Sequence, residues 1–323
     1  MLKQRGVALI TAVLVIALAA IVAAAMLSST NLSIHRASTL SDTERAWWYA
    51  DGIETWVKSL LMLDQQNSKI DYLGEEWAKG ERVLPVDEGN LQGGVTDLQG
   101  RFNLNNLGLG ANEQDPVFLK YKAQFQRLVQ SIDAVKQAPT DGLAEAIHDW
   151  IDQDDQPMGF GGAEDSEYTT LTPPYRAANH IMTSVTELLA IKGVTKEIYL
   201  GLRDYVCVLP EQGTKININT APLPVLMSLS ASGNSSLAQF AQDRIEKPIE
   251  DGGETAFWND HFAAANPASD VGPTGITTHT EYFLLHGEAF IGSSHLALYS
   301  VVHRPPKQNG ALPAVISRSQ DID

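Results

Sequence analysis

Lys3-Gln4-Arg5-Gly6 leads into Val7-Ala8-Leu9-Ile10-Thr11, and no charged residue stands between Val7 and Leu27. At about 1.5 Å per residue those roughly 21 positions make a helix of about 32 Å, the thickness of a bilayer's hydrocarbon core. Lys3 and Arg5 ahead of the span, with few bases after it, place the N-terminus in the cytoplasm. The rest of a single-pass chain would then lie in the periplasm, anchored in the inner membrane. Two rival readings are a cleaved signal peptide, for which Ala23-Ala24-Ala25 offers small residues after an apolar core, and a plain uncleaved anchor. The following residues argue against the signal peptide. From Leu27 to Leu63 there is no proline, and Gly52 is the only glycine. Apolar residues recur at helical spacing, with Ala46, Tyr49 and Ile53 continued by Val57, Leu60 and Leu61. The membrane helix therefore runs on into a soluble amphipathic one, which a signal peptide has no reason to do.

The remaining composition is that of a folded protein. The chain has 323 residues, 44% hydrophobic and 19% charged, enough for one large domain or two modest ones. Its formal net charge of −16 repels nucleic acid and anionic lipid and favours cations or basic partners. Cys207 is the only cysteine, so no internal disulfide forms, and its apolar surroundings read as core.

Beyond the helix, Gly74 to Gly94 is rich in turn formers and contains Pro85. Gly93 to Leu107 alternates, with Val95, Leu98, Phe102 and Leu104 apolar, and predicts a hairpin turning at Gln99-Gly100. A mostly helical block is expected from about Asp115 to Phe262, with helices over Pro116–Ile132, Leu143–Ile151, Val185–Cys207 and Ala221–Leu229. Glu281 to His303 is again strand-like, broken by Gly292-Ser293-Ser294, and Arg304 to Asp323, with Pro305-Pro306, reads as a frayed tail. Strands flanking a helical insert imply that the flanks pair into one sheet packed on the long helix. The expected class is α+β: a long N-terminal helix on a small antiparallel sheet, with a large inserted all-helical domain. The corresponding divisions are 1–6 (leader), 7–63 (helix), 64–112 (first part of the α/β domain), 113–265 (insert), 266–304 (C-terminal strands) and 305–323 (tail).

Between Asp149 and Glu167 stand Asp149, Asp152, Asp154, Asp155, Glu164, Asp165 and Glu167, with no Lys or Arg. Such a run repels itself unless a cation joins it, and hard cations take six to eight oxygen ligands, roughly. Gly159, Gly161 and Gly162 would let the backbone fold back. A solvated acidic loop fits the same residues. An EF-hand does not, because Gln156-Pro157 follows Asp152-Gln153-Asp154 where a ligand and a glycine belong.

The leader Lys3-Gln4-Arg5-Gly6 before Val7-Ala8-Leu9-Ile10 resembles that of type IV prepilins. The resemblance implies cutting by prepilin peptidase between Gly6 and Val7 and methylation of the new N-terminus. Most pilins carry glutamate as the fifth mature residue, where this chain has Thr11. A subunit lacking that carboxylate is suited to come first, at the tip. That departure, the size of the chain, and the stretches Arg101-Phe102-Asn103-Leu104-Asn105-Asn106-Leu107, Asp149-Trp150-Ile151-Asp152 and Ile216-Asn217-Ile218-Asn219-Thr220-Ala221-Pro222 resemble the K-type minor pseudopilins of bacterial type II secretion systems. The resemblance covers nearly the whole chain. It implies a type IV pilin-like core interrupted by a helical domain, and structural calcium in the acidic loop, for which Asp152, Asp154, Asp155, Glu164 and Asp165 are the best ligands. Asp149 would cap or pair locally and Glu167 face solvent. Implied partners are the I- and J-type minor pseudopilins in a heteromeric tip, the major pseudopilin and the prepilin peptidase. The implied role is to initiate and cap the pseudopilus that exports folded proteins across the outer membrane.

Two other classes compete. Leu188-Leu189-Ala190-Ile191-Lys192-Gly193-Val194 followed by Tyr199-Leu200-Gly201-Leu202 looks like half of a helix-hairpin-helix, as in membrane-anchored nucleic-acid-binding or DNA-uptake proteins. In that stretch Lys192, Lys196 and Arg203 are matched by Glu187, Glu197 and Asp204, so no basic patch remains for phosphates. For an enzyme, neither H-E-x-x-H, G-x-S-x-G nor a P-loop occurs, so no catalytic residue is assigned. Trp47-Trp48 lies about 30 Å beyond the membrane, which predicts packing on the sheet or on a partner helix.

Overall fold

The computed structural model describes residues 5–262, 266, 268–307 and 310–320. Met1 to Gln4 of the leader and Asp321 to Asp323 of the expected tail lie outside those residues.

Helix α1 (Arg5–Asn67) is continuous over 63 residues, as the lack of proline demands. Its first half is exposed all round. Burial begins where the apolar stripe does, and Ala46, Ala50, Val57 and Leu61 are no more than 1% exposed. Steps of three and four keep these residues on one side of the helix.

After a 3-10 turn at Glu76–Ala78, β1 (Arg82–Val86) and β2 (Gly89–Asp97) form an antiparallel hairpin turning at Asp87-Glu88, where Glu88 has φ +67°. The hairpin thus lies before the place expected for it. Pro85 sits in β1, an outer strand, where a missing N–H costs no ladder bond. Gln99-Gly100 does turn, but into the insert. Asp97 Oδ1 accepts from Gln99 N (2.6 Å) and Gly100 N (3.2 Å), which ends β2. A Cβ on Gly100 would stand 2.8 Å from Thr220 Oγ1.

The chain then pairs β3 (Phe102–Asn103) in parallel with β4 (Val206–Cys207), more than a hundred residues away. Between them lie α2 (Pro116–Ser131), α3 (Leu143–Ile151), α4 (Asp165–Tyr168), a 3-10 turn Val185–Ala190 and α5 (Lys196–Leu202). The single helix expected over Val185–Cys207 is split. Gly193 (φ +85°) reverses the chain, and Thr195 starts a new helix by accepting from Ile198 N. After β4 come β5 (Ile216–Asn217), α6 (Leu223–Ser228), α7 (Ser236–Asp243), α8 (Glu254–His261) and β6 (Ile276–Thr277), which pairs in parallel with β5. One apolar core extends from Phe102 through Phe125, Ile147 and Val225 to Ile276. The inserted body is therefore wider than 113–265, because the Arg101–Leu107 stretch and Ile276 belong to its core, and two short strand pairs accompany its helices.

The sheet resumes with β7 (Tyr282–Ile291) and β8 (Ser294–His303), joined at Gly292-Ser293 as expected. Strand β7 pairs with β2 from Gly89↔Ile291 to Asp97↔Phe283, so the flanks of the insert do close into one antiparallel sheet. Phe283, Leu285, Ala289 and Ile291, at every second position, turn one face toward α1. Phe283, Leu285 and Ile291 each contribute about 1.5–3 kcal/mol when fully buried. A Cβ on Gly287 would stand 3.5 Å from Ile53, so α1 approaches the sheet closely there.

Part of the expected frayed tail is instead a strand. β9 (Ala314–Gln320) extends the sheet beyond β8, giving the order β1-β2-β7-β8-β9. Its physical anchor is Glu54 on α1, a fully buried carboxylate within the apolar stripe. Glu54 accepts from Ser300 Oγ at 2.6 Å and from Arg318 Nε at 2.8 Å, the latter reaching back from β9. Burial opposes ionisation of Glu54, yet Arg318 and Ser300 hold its carboxyl below the usual range.

Candidate functional site

The N-terminal half of α1 presents Val7, Leu14, Leu18 and Ile21 at 65–67% exposure, with no neighbour among the described residues to cover them. It is the one helix among those residues long and apolar enough to cross a membrane. Thr11 donates its hydroxyl to Val7 O (3.1 Å) and Ala8 O (3.0 Å), so the helix itself satisfies its polar atom in an apolar setting. Further along, Trp48 (77%), Trp56 (52%) and Leu63 (54%) stand off the buried stripe. Trp47 is also exposed, so neither residue of the Trp47-Trp48 pair is covered by the sheet. Exposed apolar side chains therefore recur on α1 beyond its apolar first part, on the far side of a mostly polar stretch over 28–45.

In the insert, the acidic loop is built on α3. Asp149, fully buried, accepts from Met158 N (3.0 Å) and Ala163 N (2.7 Å) and pulls the loop back over the helix. Gly162 is required for that closure, because a Cβ there would lie 2.3 Å from Asp149 Oδ2. Burial pushes the Asp149 carboxyl up to about 6, against the pull of the two N–H groups.

Closure brings Asp152, Asp154 and Glu164 together, one oxygen from each within 4.8 Å of the others. Glu164 is 2% exposed, and neither of its oxygens has a donor among the described residues. Burial, then the charges of Asp149, Asp152, Asp155 and Asp154, push its carboxyl up to about 8. Asp152 Oδ1 also lacks a donor, while Oδ2 lies 3.2 Å from Nε2 of the buried His148. His148 Nδ1 is 2.7 Å from Leu107 O, which ties the site to the Arg101–Leu107 stretch. Burial alone would lower the imidazole's pKa, but Asp152 and the Leu107 carbonyl raise it.

Of the five expected ligands, the structure thus joins three. Asp155, in the same loop, lies outside that cluster and accepts from Asn179 Nδ2 at 3.4 Å. Asp165 is occupied otherwise, accepting from Ala177 N (3.0 Å) with Arg176 at 3.5 Å. Glu167 faces Lys192 at 3.4 Å. Orphaned carboxylate oxygens without sulfur or guanidinium fit a hard, calcium-like cation.

A second acidic cluster makes an instructive contrast. Asp64, Asp71 and Glu75 also lie close together, but Arg304, 4% exposed, pairs with Asp71 and, at 3.0 Å, with Asp64. Its guanidinium also stacks over Phe283, 4.7 Å from the ring centre. That cluster carries its own cation, whereas among the described residues no lysine or arginine pairs with Asp152, Asp154 or Glu164.

The buried asparagines of the Arg101–Leu107 stretch serve structure. Asn105 gives Nδ2 to Met182 O (3.0 Å) and Leu209 O (2.8 Å) and accepts from Met182 N at 2.8 Å, stitching three segments together. Asn217 does the same for the junction with the sheet, donating to Asp71 O (3.0 Å) and Asp97 Oδ2 (3.0 Å). The helix-hairpin-helix-like segment turns Leu188, Ile191, Ile198 and Leu202 into the core, and Arg203 meets Asp204 at 3.6 Å.

Comparison with known proteins agrees with this architecture. Residues 100–211 match the family model for type II secretion system (T2SS), protein K. The chain is 37% identical over 261 residues to type II secretion system protein K of Aeromonas hydrophila, covering 76% of this chain and 77% of that one. It is 32% identical over 311 residues to the protein of the same name from Pseudomonas aeruginosa, covering 93% and 89%. Among solved structures it is similar to a chain of the GspK-GspI-GspJ complex of the enterotoxigenic Escherichia coli type 2 secretion system. That likeness has a TM-score of 0.72 at 25% identity and covers 89% of this chain and all of that one. With the long helix, the closed sheet and the inserted body all in place, the chain belongs to the type II secretion system protein K family.

Proposed function

We propose that this chain is a minor pseudopilin that sits at the tip of the type II secretion pseudopilus, starts its assembly and caps it. The observation that carries the reading is the uncovered apolar side chains of α1, which line its first part from Val7 to Leu27 and reappear at Trp48, Trp56 and Leu63. Such a surface needs neighbouring helices. In lipid, the stripe Val13, Ile16, Ala17, Ala20 and Ala24 is smooth enough for close approach. The related chain of known structure is in complex with GspI and GspJ, which supports I- and J-type partners here. Thr11, self-satisfied on its own helix, leaves no carboxylate to pair with a subunit already in the filament, which suits a first subunit. The inserted body, bulkier than the sheet, would block addition above it.

In this reading prepilin peptidase cuts between Gly6 and Val7, and Val7 becomes the methylated N-terminus. The helix stays in the inner membrane with the folded body in the periplasm. A calcium ion held by Asp152, Asp154 and Glu164 would neutralise the loop and fasten it to α3. The decisive experiment is co-purification of the detergent-solubilised full chain with its I- and J-type partners. Trp48→Asp together with Trp56→Asp should abolish the complex while leaving the melting temperature of the isolated chain unchanged. Wild-type chain that recovers neither partner would remove the assembly role.

A further inference from the structure

The segment Pro173–Met182 meets the acidic loop at Arg176, Ala177 and Asn179, although it contributes no carboxylate to it. It is pinned at two places. Asp165 Oδ1 accepts from Ala177 N at 3.0 Å, and Asn105 exchanges hydrogen bonds with Met182. Between the pins, Asn179 adopts φ +49°, a left-handed conformation that asparagine tolerates better than most residues. That backbone turns its side chain toward the loop, where Nδ2 lies 3.4 Å from both Asp154 O and Asp155 Oδ1. The other end of the amide is unused. Asn179 Oδ1 is buried and has no hydrogen-bond donor among the described residues.

An amide oxygen left buried without a donor is costly, by about 1–3 kcal/mol in ordinary proteins. Here it stands on a segment whose amide nitrogen already reaches Asp154 and Asp155, and the loop it faces holds the donorless oxygens of Glu164 and Asp152. Those oxygens share a need for positive charge that no lysine or arginine meets. Calcium-like ions accept amide oxygens alongside carboxylates, and three carboxylates alone leave such an ion short of ligands. From this geometry we infer that Asn179 is a ligand of the loop's cation, so that the ion clasps the 173–182 segment to the acidic loop as well as closing the loop on itself. Asp165, expected from the sequence to be a ligand, is instead a positioning residue that sets the backbone two positions before Asn179. The inference rests on the cation reading given above.

The test uses the full chain in detergent, stripped with chelator and titrated with Ca²⁺ alone by calorimetry, beside Tb³⁺ luminescence to count bound water. Asn179→Gly keeps the left-handed backbone and deletes only the amide. It should weaken binding by about tenfold or more and admit roughly one more water to the ion. Calcium should slow hydrogen exchange across 173–182 in the wild type and not in this variant. Asn179→Asp, which adds charge at the same place, should bind more tightly without added water. It carries the test if the glycine variant fails to fold. Wild-type protein that takes up no Ca²⁺ at millimolar concentration would overturn the cation reading, and this inference with it. Weakened binding in Glu164→Gln but wild-type affinity and hydration in Asn179→Gly would leave the ion standing and overturn the role of Asn179 alone.

Discussion

Glu164 is the residue on which the acidic loop turns. Without an ion its carboxyl is raised from 4.5 to about 8, so the folded chain keeps a proton that the unfolded chain releases. The stability this provides is fully present below pH 4.5 and is lost as pH rises through about 8. In chelator, the melting temperature should therefore fall between about pH 4.5 and 8, and Glu164→Gln should flatten that part of the curve. The slope left at lower pH belongs to Asp149, whose carboxyl is raised only to about 6. Excess calcium should raise the wild-type melting temperature most at the alkaline end, where the loop's carboxylates are all charged. An identical melting curve in calcium and in EGTA would remove the ion from the account. The density of acids made the loop visible in the sequence, but density does not rank ligands. Asp155 and Asp165 are of the same type as Asp152 and Asp154 and stand in the same acidic run, and only the fold sends them to Asn179 and Ala177 instead. His148 and Asn179 had no such signal, because one lies on a helix and the other past a pair of prolines.

Among the elements, β9 departs most from expectation. Its residues are mostly exposed and follow Pro305-Pro306, features shared by many frayed ends. What orders it is Glu54, on another element and more than 250 residues away in sequence. A glutamate inside an apolar stripe signals a missing cation, but the sequence does not say which arginine comes. Arg318→Ala leaves that buried carboxylate with Ser300 alone. Breaking a buried pair costs about 3–5 kcal/mol, and the half-exposed guanidinium lowers the expected loss to about 1–2 kcal/mol. Because Glu54 is held below the usual range, the deficit should be full at neutral pH and should vanish as pH falls through the carboxylate range. Urea unfolding of both proteins at pH 7 and pH 4 checks this, and an equal deficit at both would exclude the ion pair as its cause. The hairpin lies earlier than its turn signal for a related reason. Gln99-Gly100 has the composition of a turn, but Asp97 uses it to end a strand and not to join two.

For the whole molecule, α1 packs on the sheet with one part, is long and apolar enough in another to cross a membrane and, as proposed, meets neighbouring subunits. Processing after Gly6 would leave that helix intact, and the mass of the chain purified from membranes should correspond to one beginning at Val7 and carrying a methyl group. Deleting prepilin peptidase should restore the mass of the uncut chain. A mature chain starting after Ala25 would detach the body from the bilayer and end the assembly proposal. The insert is joined to the pilin-like part through a polar junction in which Asp97, fully buried, accepts from Thr220 Oγ1 and Thr280 Oγ1 at 2.6 Å each. Replacing Asp97 with alanine would strand Asn217, Thr220 and Thr280 together, so a loss of about 2–4 kcal/mol is expected on urea unfolding of the full chain.

Local pattern was sufficient for α1, for α3, for β7 and β8, and for the presence of an insert between flanking strands, because helix and strand periodicities are properties of neighbouring residues. Tertiary structure alone decided which carboxylates meet, why the tail becomes a strand and where the insert ends. Those outcomes depend on contacts between residues a hundred or more positions apart, such as Glu54 with Arg318 and Phe102 with Val206. A buried charge must find its partner wherever the fold provides one, and sequence proximity carries no record of that meeting.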